Sequence, residues 1–555
     1  MKLSGAQLIL QCLKEEGVDT IFGYPGGAVI PLYDALYDEK DIRHIITAHE
    51  QGATHAADGY ARSTGKVGVV IATSGPGATN TVTGIATAYS DSIPMVVITG
   101  QVARSLLGRD SFQEVDITSI TASITKKNYQ VKSIEELPEI ISEAFYLAKE
   151  GRPGPILIDI PKDIQQAFIE YEPQEKKKNR FSHLESKRPI DIKQIEAAAK
   201  LINESKKPMI YAGGGIIISG ANNELVELAE KINSPVTTSL MGTGGFPNNH
   251  PLFTGMVGMH GCHSSNYGIT KCDLLITLGA RFSDRVASHI ETFAPHAKVI
   301  HVDIDEKEIG KNVRVDVPII GDLKEVLPKL IELVEKRELS EWNHQINQWK
   351  EQYPLKDKHK GLSPKFILNK LYDLTQGDII ITTEVGQNQV WAAQYYTYIK
   401  PRSFISSGGL GTMGYGLGAA IGASLGNPGK KVVNVAGDGS FKMNSNELAT
   451  LSKYKPSVIQ LVFNNHALGM VRQWQELFCN SRFSFTLLGD DVDFIKLGAA
   501  YGIKGIRIES NDQVEEALRE ALKAEGPVIL ECIINEENMV LPMVAPGAPI
   551  DEIVD

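Results

Sequence analysis

The stretch from Lys431 to Asn465, KVVNVAGDGSFKMNSNELATLSKYKPSVIQLVFNN, constrains what this chain can fold into more than any other. An apolar run, Val432 to Ala436, breaks at Gly437-Asp438-Gly439. A helix-like pattern through Ser445, Glu447 and Leu448 follows, then Pro456, then a second apolar run ending at Asn464-Asn465. Strand, turn, helix and strand over this length predict a right-handed βαβ unit with two parallel strands. Asp438-Gly439 alone would also suit a hairpin turn, but a helical pattern follows it, not a strand. In a βαβ unit Asp438 and Asn465 stand at the carboxyl ends of neighbouring strands, where open α/β sheets bind ligands. One anionic and one neutral oxygen beside a glycine turn suit Mg2+ holding a diphosphate, because this hard cation takes oxygens and leaves positions for phosphate and water.

The same alternation of short β-branched runs and helical patterns continues along all 555 residues. It predicts an α/β protein of three doubly wound parallel-sheet domains. Two charged, strand-poor stretches, Tyr171 to Arg188 and about Lys336 to Lys360, read as linkers. They set an N-terminal domain at residues 1–170, a linker at 171–189, a central domain at 190–335, a linker at 336–362 and a C-terminal domain at 363–555. Strand-like runs are HIITA, VGVVIAT, PMVVITG and PILIDIP in the first, PMIYAGGG, DLLITLGA and AKVIHVDI in the second. In the third they are the alternating stretch Asp378 to Gly386, then KVVNVAG, SVIQLVFNN and PVILECII. Gly68 to Gly100 has the layout of the Lys431 stretch, with Gly75 and Pro94 separated as Gly437 and Pro456 are, which suggests a duplicated unit.

Composition excludes some classes. The formal net charge of −11 is spread along the chain and argues against nucleic-acid binding. No apolar run approaches the roughly 18 residues of a membrane helix. The N-terminus reads as an amphipathic helix without signal- or transit-peptide character, so a cytoplasmic location is expected. Five scattered cysteines without a Cys-x-x-Cys pair favour a reducing compartment. His260-Gly-Cys262-His263 admits a metal site or a ligand-lining loop, and lacks a second ligand cluster at matching spacing.

Glu50, in HEQGA directly after the run Ile45 to Ala48, is either a cap on a helix start or a buried acid that hydrogen-bonds a cofactor nitrogen. Trp474 alone would be ordinary packing in an amphipathic run, and Lys162 alone a solvated charge. Gly213-Gly214-Gly215 is a glycine turn at a strand end that does not complete G-x-G-x-x-G.

Together the GDG and NN pairs, with 24 residues between them, and the upstream Glu50 resemble the thiamin diphosphate motif. Within that superfamily the chain resembles the acetohydroxyacid synthase (acetolactate synthase) large-subunit family. FGYPGGAVIPLYDAL, HEQGATHAADGYARSTGK, SGPGATN, GRPGPILIDIPKDIQ, GMVGMHG, LGARFSDRV, GGLGTMGYGLGAAIG and GMVRQWQELF carry the likeness, over about residues 1 to 550. The resemblance implies decarboxylation of pyruvate on thiamin diphosphate and condensation with pyruvate or 2-ketobutyrate, the first common step to valine, leucine and isoleucine.

By resemblance, Glu50 hydrogen-bonds the cofactor's aminopyrimidine as its proton relay, and Met413 props the cofactor in a bent form. Asp438 and Asn465 bind Mg2+ with the main-chain carbonyl of Ala467. The chain has His466-Ala467 where the family is more acidic, which is immaterial if only the carbonyl is used. Tyr24, Gly27, Asn80, Val385, Gln387, Gly411, Gly437, Gly439, Ser440 and Met470 are implied as further cofactor contacts. Arg285 is implied for the acceptor carboxylate and Trp474 for preference toward 2-ketobutyrate. Phe112, Gln113 and Lys162 are implied along the substrate approach, and Gly27-Ala28 beside the reactive carbon. A structural FAD is implied in the central domain, through Arg152, the span His260 to Arg281 with Gly261 and Gly279, and the span Asp303 to Asp322. The family also implies a homodimer or homotetramer with each site shared between two chains, and it admits a small regulatory subunit. An FAD-free catabolic acetolactate synthase, a flavin-using oxidase or decarboxylase, and a non-catalytic homologue are the other readings of this fold.

Overall fold

The computed structural model describes residues 1–173, 181, 189–489 and 491–555. It contains three six-stranded sheets, all parallel. The first holds Thr20–Gly23, Arg43–Ile46, Gly68–Ala72, Met95–Gln101, Lys127–Gln130 and Pro155–Pro161. The third holds Ile380–Thr383, Phe404–Ile405, Val432–Gly437, Val458–Asn464, Lys504–Ile508 and Val528–Ile533. Numbered along the chain, both have the strand order 2-1-3-4-6-5. The similarity of layout seen in the sequence is therefore a similarity of topology.

The central sheet differs. Its strands, Pro208–Ala212, Val236–Thr238, Phe253–Met256, Leu274–Leu278, Lys298–Asp303 and Val317–Ile320, lie in the order 3-2-1-4-5-6. This is the order that binds dinucleotides across the crevice where strand order reverses. Here the crevice opens between Pro208–Ala212 and Leu274–Leu278, which pair in register from Pro208 with Leu274 to Ala212 with Leu278.

The βαβ unit forms as its sequence requires. Val432–Gly437 and Val458–Asn464 are adjacent parallel strands, with Gly437 opposite Phe463. Their side chains are buried on both faces, as strands with helices on both sides must be. The helix Gly5–Glu15 is closed by a capping box in which Ser4 and Gln7 satisfy each other's backbone N–H.

The first linker, Tyr171 to Arg188, falls largely outside the described residues. The second contains a helix, Ser340–Gln352, whose Trp342 and Ile346 are buried against the central domain, with Trp342 Nε1 donating to Pro208 O at 2.9 Å. Among the described residues no helix is long and apolar enough to cross a membrane.

The first and third domains meet through Glu50–Thr64 and Gly416–Gly426. The helices approach closely because glycine faces backbone. A Cβ at Gly59 would stand 2.1 Å from Ala419 O, and one at Gly422 1.8 Å from Ala56 O. A buried ion network reinforces the joint: Arg62 bridges Asp58 and Asp91, whose carboxylate accepts from the N–H groups of Gly408 and Gly409.

Candidate active site

The carboxyl ends of Val432–Gly437 and Val458–Asn464 carry an oxygen-lined corner. The Asn465 amide group is the key to it. Gln387 Nε2 donates to Gln473 Oε1 at 3.1 Å and to Asn538 O at 2.8 Å, which leaves Gln387 Oε1 facing Asn465. Asn465 therefore turns its Nδ2 to that oxygen, at 3.2 Å. Its other terminal atom, Oδ1, then lies 3.1 Å from Asp438 Oδ1 and 2.9 Å from the Ala467 carbonyl. Three oxygens converge without a proton between them. Cis ligands of a cation bound at about 2.1 Å stand about 3 Å apart, so this spacing fits an octahedral Mg2+.

Asp438 supports that fit. Its Oδ2 is buried and has no hydrogen-bond partner, and burial pushes its carboxyl up to about 6. A bound cation would reverse that desolvation penalty. Gly386, with φ 150°, breaks the chain before the helix Gln387–Tyr395, whose first N–H groups lack intrahelical partners. Ser440 donates to Glu384 Oε2 at 2.8 Å, and Gly439 packs so tightly on Leu468 that a Cβ would stand 2.5 Å away.

Glu384 is a functional candidate that the sequence reading missed. It is wholly buried, and burial raises its carboxyl above the ordinary range against the pull of its hydrogen bonds. Besides Ser440 it accepts from Gly414 N at 2.8 Å and Leu417 N at 3.1 Å. It ties the GDGS turn to the loop that presents Met413. A lone carboxylate inside an apolar run, TTEVG, was the available signal.

A cavity of about 960 Å³ joins all three domains. Its walls include Arg152, His260, Gly279, Arg281, Asp303 and Asp322, and also Val385, Gly411, Met470, Arg285 and Trp474. Gly213, Gly215 and Gly279 crowd the crevice of the central sheet: a Cβ at Gly215 would stand 2.7 Å from Gly279 Cα. Arg152 reaches across from the first domain to Glu308 at 2.9 Å and Asp305 at 3.3 Å. Burial raises the Asp303 carboxyl to about 6 and lowers His260 to about 4, leaving its buried Nδ1 unpartnered. Volume, strand order and a mostly apolar wall with a few charged groups fit an extended dinucleotide. Gly261 is not in the wall; it packs against Asn266. At the mouth toward the third domain, the Arg285 guanidinium lies over the Trp474 ring, 5.6 Å from its centroid.

His260, Cys262 and His263 do not form a metal cluster. His263 stacks on Tyr353, 4.6 Å apart, and among the described residues no three His, Cys, Asp or Glu side chains could hold an ion.

The first domain assembles a second group. Glu50 opens the helix Glu50–Thr64 and is buried, with Asn80 Nδ2 donating to its Oε2 at 2.9 Å. Gly77 faces its Oε1, where a Cβ would come within 3.2 Å. Thr73 Oγ1 and Gln165 Nε2 hold the two sides of the Ala28 peptide. Gln113 adopts φ 58° against Gly75. Tyr24, Gly27 and Phe112 are exposed, and Lys162 starts the short helix Lys162–Gln166. None of Tyr24, Gly27, Glu50, Asn80, Gln113 or Lys162 lines the large cavity.

Family models match all three domains: the N-terminal thiamine pyrophosphate-binding domain over residues 3–120, the central domain over 195–330 and the C-terminal thiamine pyrophosphate-binding domain over 384–532. The chain is 49% identical to a protein of Methanocaldococcus jannaschii described as a probable acetolactate synthase large subunit, covering 100% of this chain and 95% of that one. The chain belongs to the acetolactate synthase large-subunit family of thiamine pyrophosphate enzymes. It is also 45% identical to the acetolactate synthase isozyme 2 large subunit of Escherichia coli K12, with 100% of each chain covered. To the acetolactate synthase large subunit of Lactococcus lactis it is 45% identical, over 99% of this chain and 96% of that one. As a member of this family the chain is a thiamin diphosphate enzyme of α/β fold.

Proposed function

We propose that this chain is an acetolactate synthase that joins pyruvate to a second 2-ketoacid, pyruvate or 2-ketobutyrate, in branched-chain amino-acid biosynthesis. Full-length similarity to acetolactate synthase large subunits is the observation that carries this reading. Bound thiamin diphosphate supplies the electron sink that lets carbon dioxide leave one ketoacid and a carbon–carbon bond form to the other.

The chain's own residues divide the work. Asp438, Asn465 and the Ala467 carbonyl hold Mg2+ on the diphosphate, a role supported by their 2.9 and 3.1 Å spacing. Glu50 keeps Oε2 on Asn80 and offers Oε1 to the aminopyrimidine nitrogen, where it exchanges a proton. Met413, on its loop braced by Glu384, supports the cofactor between its two ends. Tyr24, Gly27, Val385, Gln387, Gly411, Ser440 and Met470 complete its surroundings. Arg285 binds the acceptor carboxylate with its planar fork, and Trp474 beside it packs the acceptor's alkyl group. Gln113 and Lys162 line the substrate approach. FAD occupies the large cavity as a structural cofactor, between Arg152 and the crevice lined by Gly279.

The proposed domains are residues 1–170, 190–335 and 363–555. The active unit is a homodimer or homotetramer in which Glu50 of one chain meets Asp438 of another, and a small regulatory subunit is its partner. Its location is cytoplasmic. Incubation with pyruvate, thiamin diphosphate, Mg2+ and FAD should give acetolactate and carbon dioxide, and a purified protein should carry a flavin spectrum. No product with all cofactors present would overturn the reading; product without flavin would overturn its FAD part.

A further inference from the structure

We propose that Glu447 is the positioning residue that fixes Glu50, acting on it from the third domain. This rests on the reading of Glu50 as the proton relay.

Glu50 is presented by the turn between the strand Arg43–Ile46 and the helix Glu50–Thr64. That turn has three N–H groups, of Ile46, Ala48 and His49, that its own domain leaves unpaired. The third domain satisfies all three. Glu447 Oε2 accepts from Ala48 N and Oε1 from His49 N, each at 3.1 Å, and Tyr454 Oη accepts from Ile46 N at 2.8 Å. Thr450 Oγ1 adds a third donor to the carboxylate, its second on Oε2, at 2.6 Å. Glu447 is wholly buried, and Gly52 leaves the room it needs: a Cβ there would stand 1.9 Å from Oε1.

An ionised carboxylate offers only acceptors, and here each oxygen meets donors. A buried carboxylate without such partners would cost far more than an apolar side chain of its size. Its three donors come from two domains, so the carboxylate sets where the Glu50 turn lies relative to the third domain. It stands on the same stretch that carries Asp438, just beyond the short helix Asp438–Met443. One segment of the third domain thus carries the proposed metal ligand at its start and the clamp on its own chain's Glu50 at its end, and with sites shared between two chains these two groups serve different sites. Misplacement of a reacting group by about 1 Å can cost about 100-fold in rate.

Two variants test the clamp. Glu447→Gln keeps the shape but turns an amide N–H toward a backbone N–H. Gly52→Ala pushes a methyl into the carboxylate without touching it chemically. For both, kcat should fall about 10- to 100-fold while KM for pyruvate and the thiamin diphosphate dissociation constant stay within threefold. In the cofactor-free protein, amide hydrogen exchange at Ala48 and His49 should accelerate about tenfold or more, with the remaining core unchanged. A kcat within twofold of the parent, or unchanged exchange, would overturn the proposal. So would loss of kcat, cofactor affinity and global exchange protection together, which marks a purely structural role. If Glu50→Gln alone retains full turnover, the proton-relay reading fails; if Glu50→Gln is inactive and Glu447→Gln is not, this proposal fails.

Discussion

Gln387 decides which atom of Asn465 faces Asp438. Both N–H bonds of the Gln387 amide are committed to Gln473 and Asn538, so its oxygen draws the Asn465 nitrogen and leaves the Asn465 oxygen toward Asp438. In the absence of a cation that orientation is electrostatically unfavourable, with oxygen facing oxygen at 3.1 Å. Through its hydrogen bond to Asn465, Gln387 would hold the corner in the orientation that the proposed Mg2+ needs. Such orienting partners are worth about 10- to 100-fold in metal affinity. Gln387→Leu should therefore raise the Mg2+ concentration for half-saturation by about that factor in a titration at saturating thiamin diphosphate. An unchanged Mg2+ dependence would show that Asn465 needs no such hold.

Asp159 gives the fold a pH signature outside the candidate site. It is wholly buried, accepting from Thr99 Oγ1 at 2.7 Å and Gln101 Nε2 at 3.0 Å. Burial raises its carboxyl from 3.8 to about 6, against those hydrogen bonds. A raised carboxyl binds its proton more tightly in the folded chain, so its stabilising effect is complete below about pH 4 and is lost as pH rises through about 6. Asp159→Asn removes the titration. The stability difference between parent and variant, from denaturant melts at several pH values, should shift toward the parent as pH falls from 7 to 4. A flat difference would mean that Asp159 titrates normally in the folded state.

The joint between the first and third domains sets local preference against packing. In a helix interior Ala is better than Gly by about 1 kcal/mol. At Gly422 the added methyl would meet the Ala56 carbonyl, 1.8 Å from its oxygen. Overpacking of this kind typically costs about 1–3 kcal/mol. Gly422→Ala should thus lower the melting temperature despite its better helix propensity. A rise would show that the two helices can separate at no cost.

The sequence was most legible where apolar runs are long. Val432–Gly437, Val458–Asn464 and Pro155–Pro161 are buried on both faces and carry their own signal. Lys127–Gln130, at a sheet edge, is polar and half-exposed, and Phe404–Ile405 is two residues long; neither has a period to read. The helix Ser340–Gln352 was hidden by its charged face, since only Trp342 and Ile346 are buried. In the site, residue types near strand ends could be read, because their chemistry travels with the motif. The roles of Glu384 and Glu447 could not, because most of their partners are backbone N–H groups brought near only by folding, and for Glu384 the lone carboxylate in TTEVG marked the residue without its partners. The turn of the Asn465 amide depends in the same way on Gln387, Gln473 and Asn538, which no spacing connects.

Whether Glu50 and Asp438 serve one site from different chains is testable by mixing variants, since the large cavity is lined by neither of them. Arg285, Trp474, Met470 and Val385 line one cavity, and Glu50 with Asn80, Gln113 and Tyr24 lines none of it. If each site takes Glu50 from one chain and Asp438 from the other, Glu50→Gln and Asp438→Asn homodimers are both inactive. In a mixed dimer, one site receives both altered residues and the other receives neither. Random exchange makes half of the dimers mixed, so mixing the two inactive proteins in equal amounts should restore about a quarter of parent activity. If Glu50 and Asp438 of the same chain served one site, each site in a mixed dimer would carry one lesion and the mixture would stay inactive. Activity after co-incubation, compared with each variant alone, separates the two arrangements.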